Sequence, residues 1–204
     1  MRNKEMTAAI ILNGKSVCSQ VNDDFVICAD GGYKLLKGRK ANCVIGDFDS
    51  LEKTPKGIKS IKYQAMKNQT DGELCIEYAI GQGYKNINIY AGLGGRIDHV
   101  MGNLSLLTLA YRLGAKAVIK DKDTFVYYTE KKLELTVEKG DTISVIAFGG
   151  AAVVKNSTNL RYPLKDLELL PHRTRGISNL ASDTNIALEV AQGGVLVFHI
   201  FSSK

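Results

Sequence analysis

The first 120 or so residues alternate short apolar runs with helical patterns, and this alternation confines the chain to few folds. The runs are Ala8–Leu12, Phe25–Ala29, Cys43–Ile45, Ser60–Tyr63, Asn86–Tyr90 and Ala117–Lys120. Short, mostly apolar strands suit a parallel sheet buried on both faces. Between them, one helix is predicted from about Asp71 to Gln82, ending at Gly83. Another starts near Asp98, carries Val100, Leu104, Leu107 and Tyr111 on one face, and ends at Gly114. Strand–helix alternation reads as an α/β layer structure. After Lys122 the period changes. Leu133, Leu135 and Val137 alternate with Glu134 and Thr136, and Ile186, Leu188 and Val190 with Ala187 and Glu189, as in half-buried strands. Gly149-Gly150 and Gly193-Gly194 fit tight hairpins. The expected organisation is an α/β domain with a mostly parallel sheet over 1–122, then an all-β domain, sandwich or barrel-like, over 123–204.

Composition excludes whole classes. Of the 204 residues 45% are hydrophobic and 24% charged, which excludes a disordered chain, and no apolar run is long enough to span a membrane as a helix. Ala8–Leu12 is too short for a signal peptide. Cys18, Cys28, Cys43 and Cys75 show no metal-ligand spacing and read as reduced core residues of a cytoplasmic protein. The net charge of +6 is only a weak pointer to anionic partners. Lys53, Lys56, Lys59 and Lys62 lack interleaved aromatics and read as a solvated face rather than a nucleic-acid platform.

Four acid-bearing segments follow four predicted strands. In Gly46-Asp47-Phe48-Asp49-Ser50, an extended backbone would turn Phe48 to the core and both carboxylates to a cleft, an arrangement suited to Mg²⁺. Asp30-Gly31-Gly32 opens a helical segment, where glycine admits a ligand close to the backbone and Asp30 could equally cap the helix. Lys67…Thr70-Asp71-Gly72-Glu73 contains a capping box, with Asp71 in the first helical turn and Lys67 able to neutralise phosphate. In Gly94-Gly95-Arg96-Ile97-Asp98-His99, Arg96 offers a fork for phosphate and Asp98 could serve only as an N-cap. Gly14-Lys15-Ser16 lacks the upstream glycine of a P-loop and reads as a plain turn; Gly92-Leu-Gly94 lacks the small residue that a dinucleotide fingerprint needs at Ile97. Ligands of open α/β sheets bind beyond the carboxyl ends of the strands, so these acids with Lys67 and Arg96 point to a metal–polyphosphate site.

Taken in order, these motifs with the later Gly176-Ile177-Ser178-Asn179 resemble the thiamine pyrophosphokinase family over nearly the whole chain. The resemblance implies Mg²⁺-dependent transfer of pyrophosphate from ATP to the thiamine hydroxyl, giving thiamine diphosphate and AMP. It implies a homodimer with active sites between subunits. It further implies that Asp47, Asp49 and Asp71 hold Mg²⁺, that Asp30, Gly31, Gly32, Lys67, Thr70 and Arg96 position phosphates, and that Asp98 orders the site. Ser178 and Asn179 would contact thiamine, and Thr158–Leu164 resembles another family stretch. Asn68 stands where the family commonly has an acid, and Asn159 where it commonly has glycine. The general base is Asp71 or Asp98. Other expectations the residues allow are a pyrophosphokinase for another hydroxymethyl acceptor such as a pterin, and a non-catalytic nucleotide or thiamine sensor.

Overall fold

Strands β1 (Thr7–Ile11), β2 (Phe25–Ala29), β3 (Cys43–Gly46), β4 (Lys59–Lys62), β5 (Asn86–Tyr90) and β6 (Lys116–Lys120) lie side by side, all parallel, in the order β6-β5-β1-β2-β3-β4. They belong to the first of two units, Met1–Lys122 and Asp123–Lys204. The structure, a computed structural model, describes residues 5–15, 21–36, 39–51, 56–64 and 68–202. The apolar runs in β1, β2 and β3 are buried on both faces: Ile10, Ile11, Ile27, Val44 and Ile45 expose none of their surface. Each such side chain stabilises by roughly 1.5–3 kcal/mol. Strand β4 departs from the pattern. It is the outer strand, and its Lys59 and Lys62 are exposed. Lysine on an open strand edge also discourages pairing with other chains.

Helix α1 (Asp71–Gly81) follows β4 and α2 (Ile97–Arg112) follows β5. Thr70 and Glu73 form the expected capping box, in which Glu73 N–H donates to Thr70 Oγ1 at 3.3 Å and Thr70 N–H to the Glu73 carboxylate at 2.6 Å. Gly83 and Gly114, at φ of 91° and 78°, follow the two C-caps. A short 3-10 helix, Asp30–Leu36, follows β2. No helix among the described residues is long and apolar enough to cross a membrane. Cys28, Cys43 and Cys75 are fully buried in the core, and burial pushes Cys43 up in pKa; Cys18 lies outside the described residues.

The chain runs outward from β1 through β2 and β3 to β4, then returns to lay β5 on the other side of β1. The loops leaving β1 and β5 therefore diverge from neighbouring strand ends. That divergence opens the crevice in which open α/β sheets take ligands.

The second unit comprises β7 (Thr124–Thr129), β8 (Lys132–Thr136), β9 (Thr142–Ala147), β10 (Ala152–Thr158), β11 (Leu167–Leu169), β12 (Asn179–Leu180), β13 (Asn185–Gln192) and β14 (Val195–Ile200). They form two antiparallel layers, β12-β9-β14-β7 and β11-β10-β13-β8. One apolar core holds Ile143, Val145 and Val197 from the first layer with Val154, Ile186 and Leu188 from the second, so the unit is a sandwich. The expected hairpins at Gly149-Gly150 and Gly193-Gly194 are absent. Strands β9 and β10 lie in different layers, as do β13 and β14, so both glycine pairs carry the chain across the sandwich. A Cβ on Gly193 would stand 2.2 Å from the Ala151 oxygen, so close approach of backbone there demands glycine. Buried Asp141 ties the end of this unit together. It accepts from the Glu138 amide at 2.9 Å and from the Ser202 amide and hydroxyl at 2.9 and 3.0 Å, and pairs with the His199 ring at 2.6 Å. Burial alone would raise its pKa. The Ser202 amide, His199, the Glu138 amide and the Ser202 hydroxyl outweigh that and bring it to about 2.

Candidate functional site

At the carboxyl ends of the parallel strands lies a cavity of about 860 Å³. It is bordered by the loops after β1, β2, β3 and β5, the start of α1 and one face of α2. Asp30, Asp47, Asp49, Thr70, Asp71, Arg96 and Asp98 all line it, so the structure brings together most of the residues the motifs singled out. Lys67 lies outside the described residues.

Asp30, Asp47 and Asp49 approach most closely, each offering a carboxylate oxygen within 4.8 Å of the others. Like charges at that separation repel by roughly 3–4 kcal/mol per pair at an effective dielectric of about 20, less where Asp49 meets solvent. Asp30 is only 4% exposed, and its Oδ1 is buried with no hydrogen-bond partner. A buried carboxylate oxygen facing two further carboxylates is the donor set of a hard cation. The described residues thus hold an acidic cluster suited to a metal ion.

The trio differs from the expected set, since Asp30 joins Asp47 and Asp49. Asp71 borders the cluster instead. A Cβ on Gly46 would stand 2.8 Å from Asp30 Cβ and 3.3 Å from Asp71 Oδ2, so a side chain there would push into both acids. The loop geometry also differs from the extended backbone read from sequence. Phe48 has φ of 67°, and Asp49 N–H donates to Asp47 Oδ1 at 3.1 Å. A turn, not a strand, brings the two acids to one side while Phe48 packs on the sheet core with Val44 and Tyr90. Left-handed backbone at phenylalanine is costly and is held here by that packing. Asp30 is left-handed too, at φ 42°, and the Ser50 amide donates to its Oδ2 at 3.3 Å, linking the ends of β2 and β3.

Gly31 and Gly32 do not line the cavity. A Cβ on Gly32 would stand 2.2 Å from the Ile11 oxygen, and one on Gly31 2.6 Å from the Asn13 amide. Their small size lets the 3-10 helix sit against β1 and the residues that follow it. Asp98 is not an N-cap. Helix α2 is preceded by Arg96, which makes no capping hydrogen bond, and Asp98 lies in the first turn. The Asp98 carboxylate instead accepts two hydrogen bonds from the Arg96 guanidinium, at 3.2 and 2.6 Å, on an exposed surface. This bond raises the Arg96 pKa and lowers that of Asp98.

Motif reading missed Asn13, Lys15, Ser50 and Asn103, which also line the cavity. Asn103 donates to the Gly92 oxygen at 2.9 Å and so fastens α2 to the glycine loop. Its signal was its place on the α2 face that also carries His99 and Leu106.

In the second unit, Ser178 is exposed at φ 60°, and its amide donates to Ser144 Oγ at 3.0 Å. Asn179 is 4% exposed and its amide is largely spent. The oxygen accepts from the Tyr162 and Leu180 amides at 3.0 and 2.9 Å, and the nitrogen donates to the Tyr162 oxygen at 2.6 Å. These bonds hold the backbone of Tyr162, whose side chain is 59% exposed. Asn159 sits at φ 58°, in the left-handed region that asparagine tolerates.

Comparison with known proteins agrees with these observations. Residues 19–119 match a family model described as "Thiamin pyrophosphokinase, catalytic domain". Thiamine pyrophosphokinase of Bacillus subtilis (strain 168) is 32% identical over 143 residues, covering 66% of this chain and 66% of the relative, just under two thirds of its length. The crystal structure of the Bacillus subtilis thiamine pyrophosphokinase shares the fold, with a TM-score of 0.85, 23% identity, and coverage of 97% of this chain and 100% of that one. Thiamin pyrophosphokinase from Candida albicans superposes with a TM-score of 0.77 at 15% identity, over 96% of this chain and 89% of that one. The ordered motifs, the match spanning the carboxylate-bearing strands and the shared fold converge: the chain belongs to the thiamin pyrophosphokinase family of enzymes.

Proposed function

We propose that the protein transfers the terminal pyrophosphoryl group of ATP to the hydroxyl of thiamine, releasing AMP, with Mg²⁺ as its metal. The observation that carries this reading is the Asp30–Asp47–Asp49 cluster, with its orphaned buried oxygen, in a cavity at the sheet's switch point. These three acids, with Asp71 beside them, would hold Mg²⁺. When bound, Mg²⁺ supplies charge neutralisation for the triphosphate.

Pyrophosphoryl transfer needs little covalent help from a protein; positioning and electrostatics carry it. The thiamine hydroxyl oxygen attacks the β-phosphorus, the bond from that phosphorus to the oxygen of AMP breaks, and the hydroxyl proton leaves to a base. Asp98 is a poor base because Arg96 holds it as a carboxylate of lowered pKa, so the role falls to Asp71. The Arg96 fork is oriented by Asp98 at the mouth of the cavity, where an incoming phosphate meets it. Thr70 works chiefly through α1, whose first turn its cap stabilises and which carries Asp71. Ser178 and the exposed Tyr162, whose backbone Asn179 holds, would be the thiamine-facing part of the second unit. The working form is a homodimer with sites between subunits, and it acts in the cytoplasm, in keeping with the core placement of Cys28, Cys43 and Cys75.

The test is chromatographic. Purified protein with ATP, Mg²⁺ and thiamine should yield AMP and thiamine diphosphate in equal amounts. A hydroxymethyl pterin offered in parallel should yield no AMP. AMP release with the pterin alone would replace thiamine as the acceptor, and release with neither would overturn the proposal.

A further inference from the structure

The geometry points to Lys15 as the cation that grips the polyphosphate of the nucleotide, a role that rests on the proposed function and that the Gly14-Lys15-Ser16 turn did not reveal in sequence. Three placements carry the inference. Lys15 stands in the loop after β1, and β1 and β5 flank the point where the sheet reverses direction. Gly14 brings that loop onto the end of β5: a Cβ there would stand 2.1 Å from the Ala91 oxygen, so only glycine permits the approach. Lys15 itself is exposed to the cavity, with its Cγ 3.8 Å from where a Gly95 Cβ would be, opposite the glycine loop that precedes α2.

Charge settles what Lys15 does there. Among the described residues lining the cavity, the lysine and arginine cations are Lys15 and Arg96. Arg96 is already closed on Asp98 by two hydrogen bonds. Among the described residues Lys15 has no ion-pair partner, although Asp30, Asp47, Asp49 and Asp71 border the same cavity. A lysine held near an acidic cluster but not paired with it is positioned for an anion that arrives with the metal. A flexible ammonium delivers charge to a phosphate without demanding fixed geometry. The ligand is the di- or triphosphate portion of the nucleotide, and the thiamine side of the reaction is untouched.

Lys15→Met should raise the KM for ATP roughly tenfold to a hundredfold, as expected for loss of a hydrogen bond to a charged group. The KM for thiamine should stay within about twofold of wild type, and Lys15→Arg should recover most of the loss. Magnesium tripolyphosphate, added as a competitive inhibitor, should weaken against Lys15→Met by the same factor as ATP. A merely structural lysine would move both KM values together, and an uninvolved one neither; each result overturns the inference. If wild-type protein makes no thiamine diphosphate, the proposed function fails alone. Calorimetric titration of wild type and Lys15→Met with magnesium tripolyphosphate then decides Lys15, equal affinities refuting it.

Discussion

Replacing Asn179 by alanine separates a positioning role from a substrate contact. The Asn179 side chain satisfies three backbone groups, the Tyr162 N–H and C=O and the Leu180 N–H, at 3.0, 2.6 and 2.9 Å. Each net hydrogen bond contributes about 1 kcal/mol, and a buried backbone group left unpaired costs about 1–3 kcal/mol. Tyr162 is well exposed, so water can replace part of what its backbone loses. The sum is about 3 kcal/mol, at the upper end of ordinary point-mutant effects. Urea titration followed by circular dichroism should show the midpoint of the second unit fall with its slope unchanged. Thiamine KM should rise as well, because Tyr162 loses its backbone anchor. A variant that unfolds within about 1 kcal/mol of wild type while losing thiamine affinity would refute the reasoning and restore Asn179 as a direct contact.

Three other outcomes follow from the geometry. Asp49→Asn should cut AMP release by roughly a hundredfold or more while leaving the unfolding midpoint of the metal-free protein unchanged; near-wild-type turnover would remove it from the metal set. Asp30→Asn keeps a residue that tolerates φ 42° but removes a buried, uncompensated charge. It should stabilise the metal-free protein by about 1 kcal/mol and abolish the thermal stabilisation by added Mg²⁺, and a destabilised variant would contradict the orphaned-oxygen argument. Asp141, lowered from 3.8 to about 2, contributes stability that is full above about pH 4 and lost as pH falls towards 2. The contribution is about 2 kcal/mol, and Asp141→Asn should flatten that part of the acid-unfolding curve.

Local signals were legible in the sequence where neighbours along the chain decide the outcome. The apolar runs at Ala8, Phe25, Cys43 and Asn86 are strands, Thr70 and Glu73 cap α1, and glycines end both helices. What escaped depends on distant backbone. Nothing near Gly149 or Gly193 states that the next strand joins the opposite layer; only the pairing of β9 with β14 and of β10 with β13 decides it. Gly32 reads as ligand-facing until Ile11 is found against it, and Lys15 reads as a turn until Gly14 is found against Ala91. Asn179 carries a hydrogen-bonding side chain suited to a substrate, and nothing near it in sequence states that the Tyr162 backbone, 17 residues earlier, engages it. The acids were legible because carboxylates after strand ends can converge only at one edge of a parallel sheet. Which three come closest was not, because the left-handed turns at Asp30 and Phe48 set that.

The crossings in the second unit have a kinetic consequence. Apart from β10 and β11, consecutive strands there lie in opposite layers, and the first strand, β7, pairs with the last, β14, through Thr129↔Val195 to Thr124↔Ile200. Only β10 and β11 can pair locally, and each layer must otherwise recruit segments far apart in the chain before it gains its ladder. Loop closure then comes ahead of the reward, which places such a sandwich among the slow folders. The first layer cannot close until β14, the last strand made, comes between β7 and β9. Shortening the chain by that single strand should split this layer in two and uncover the core it shares with the other.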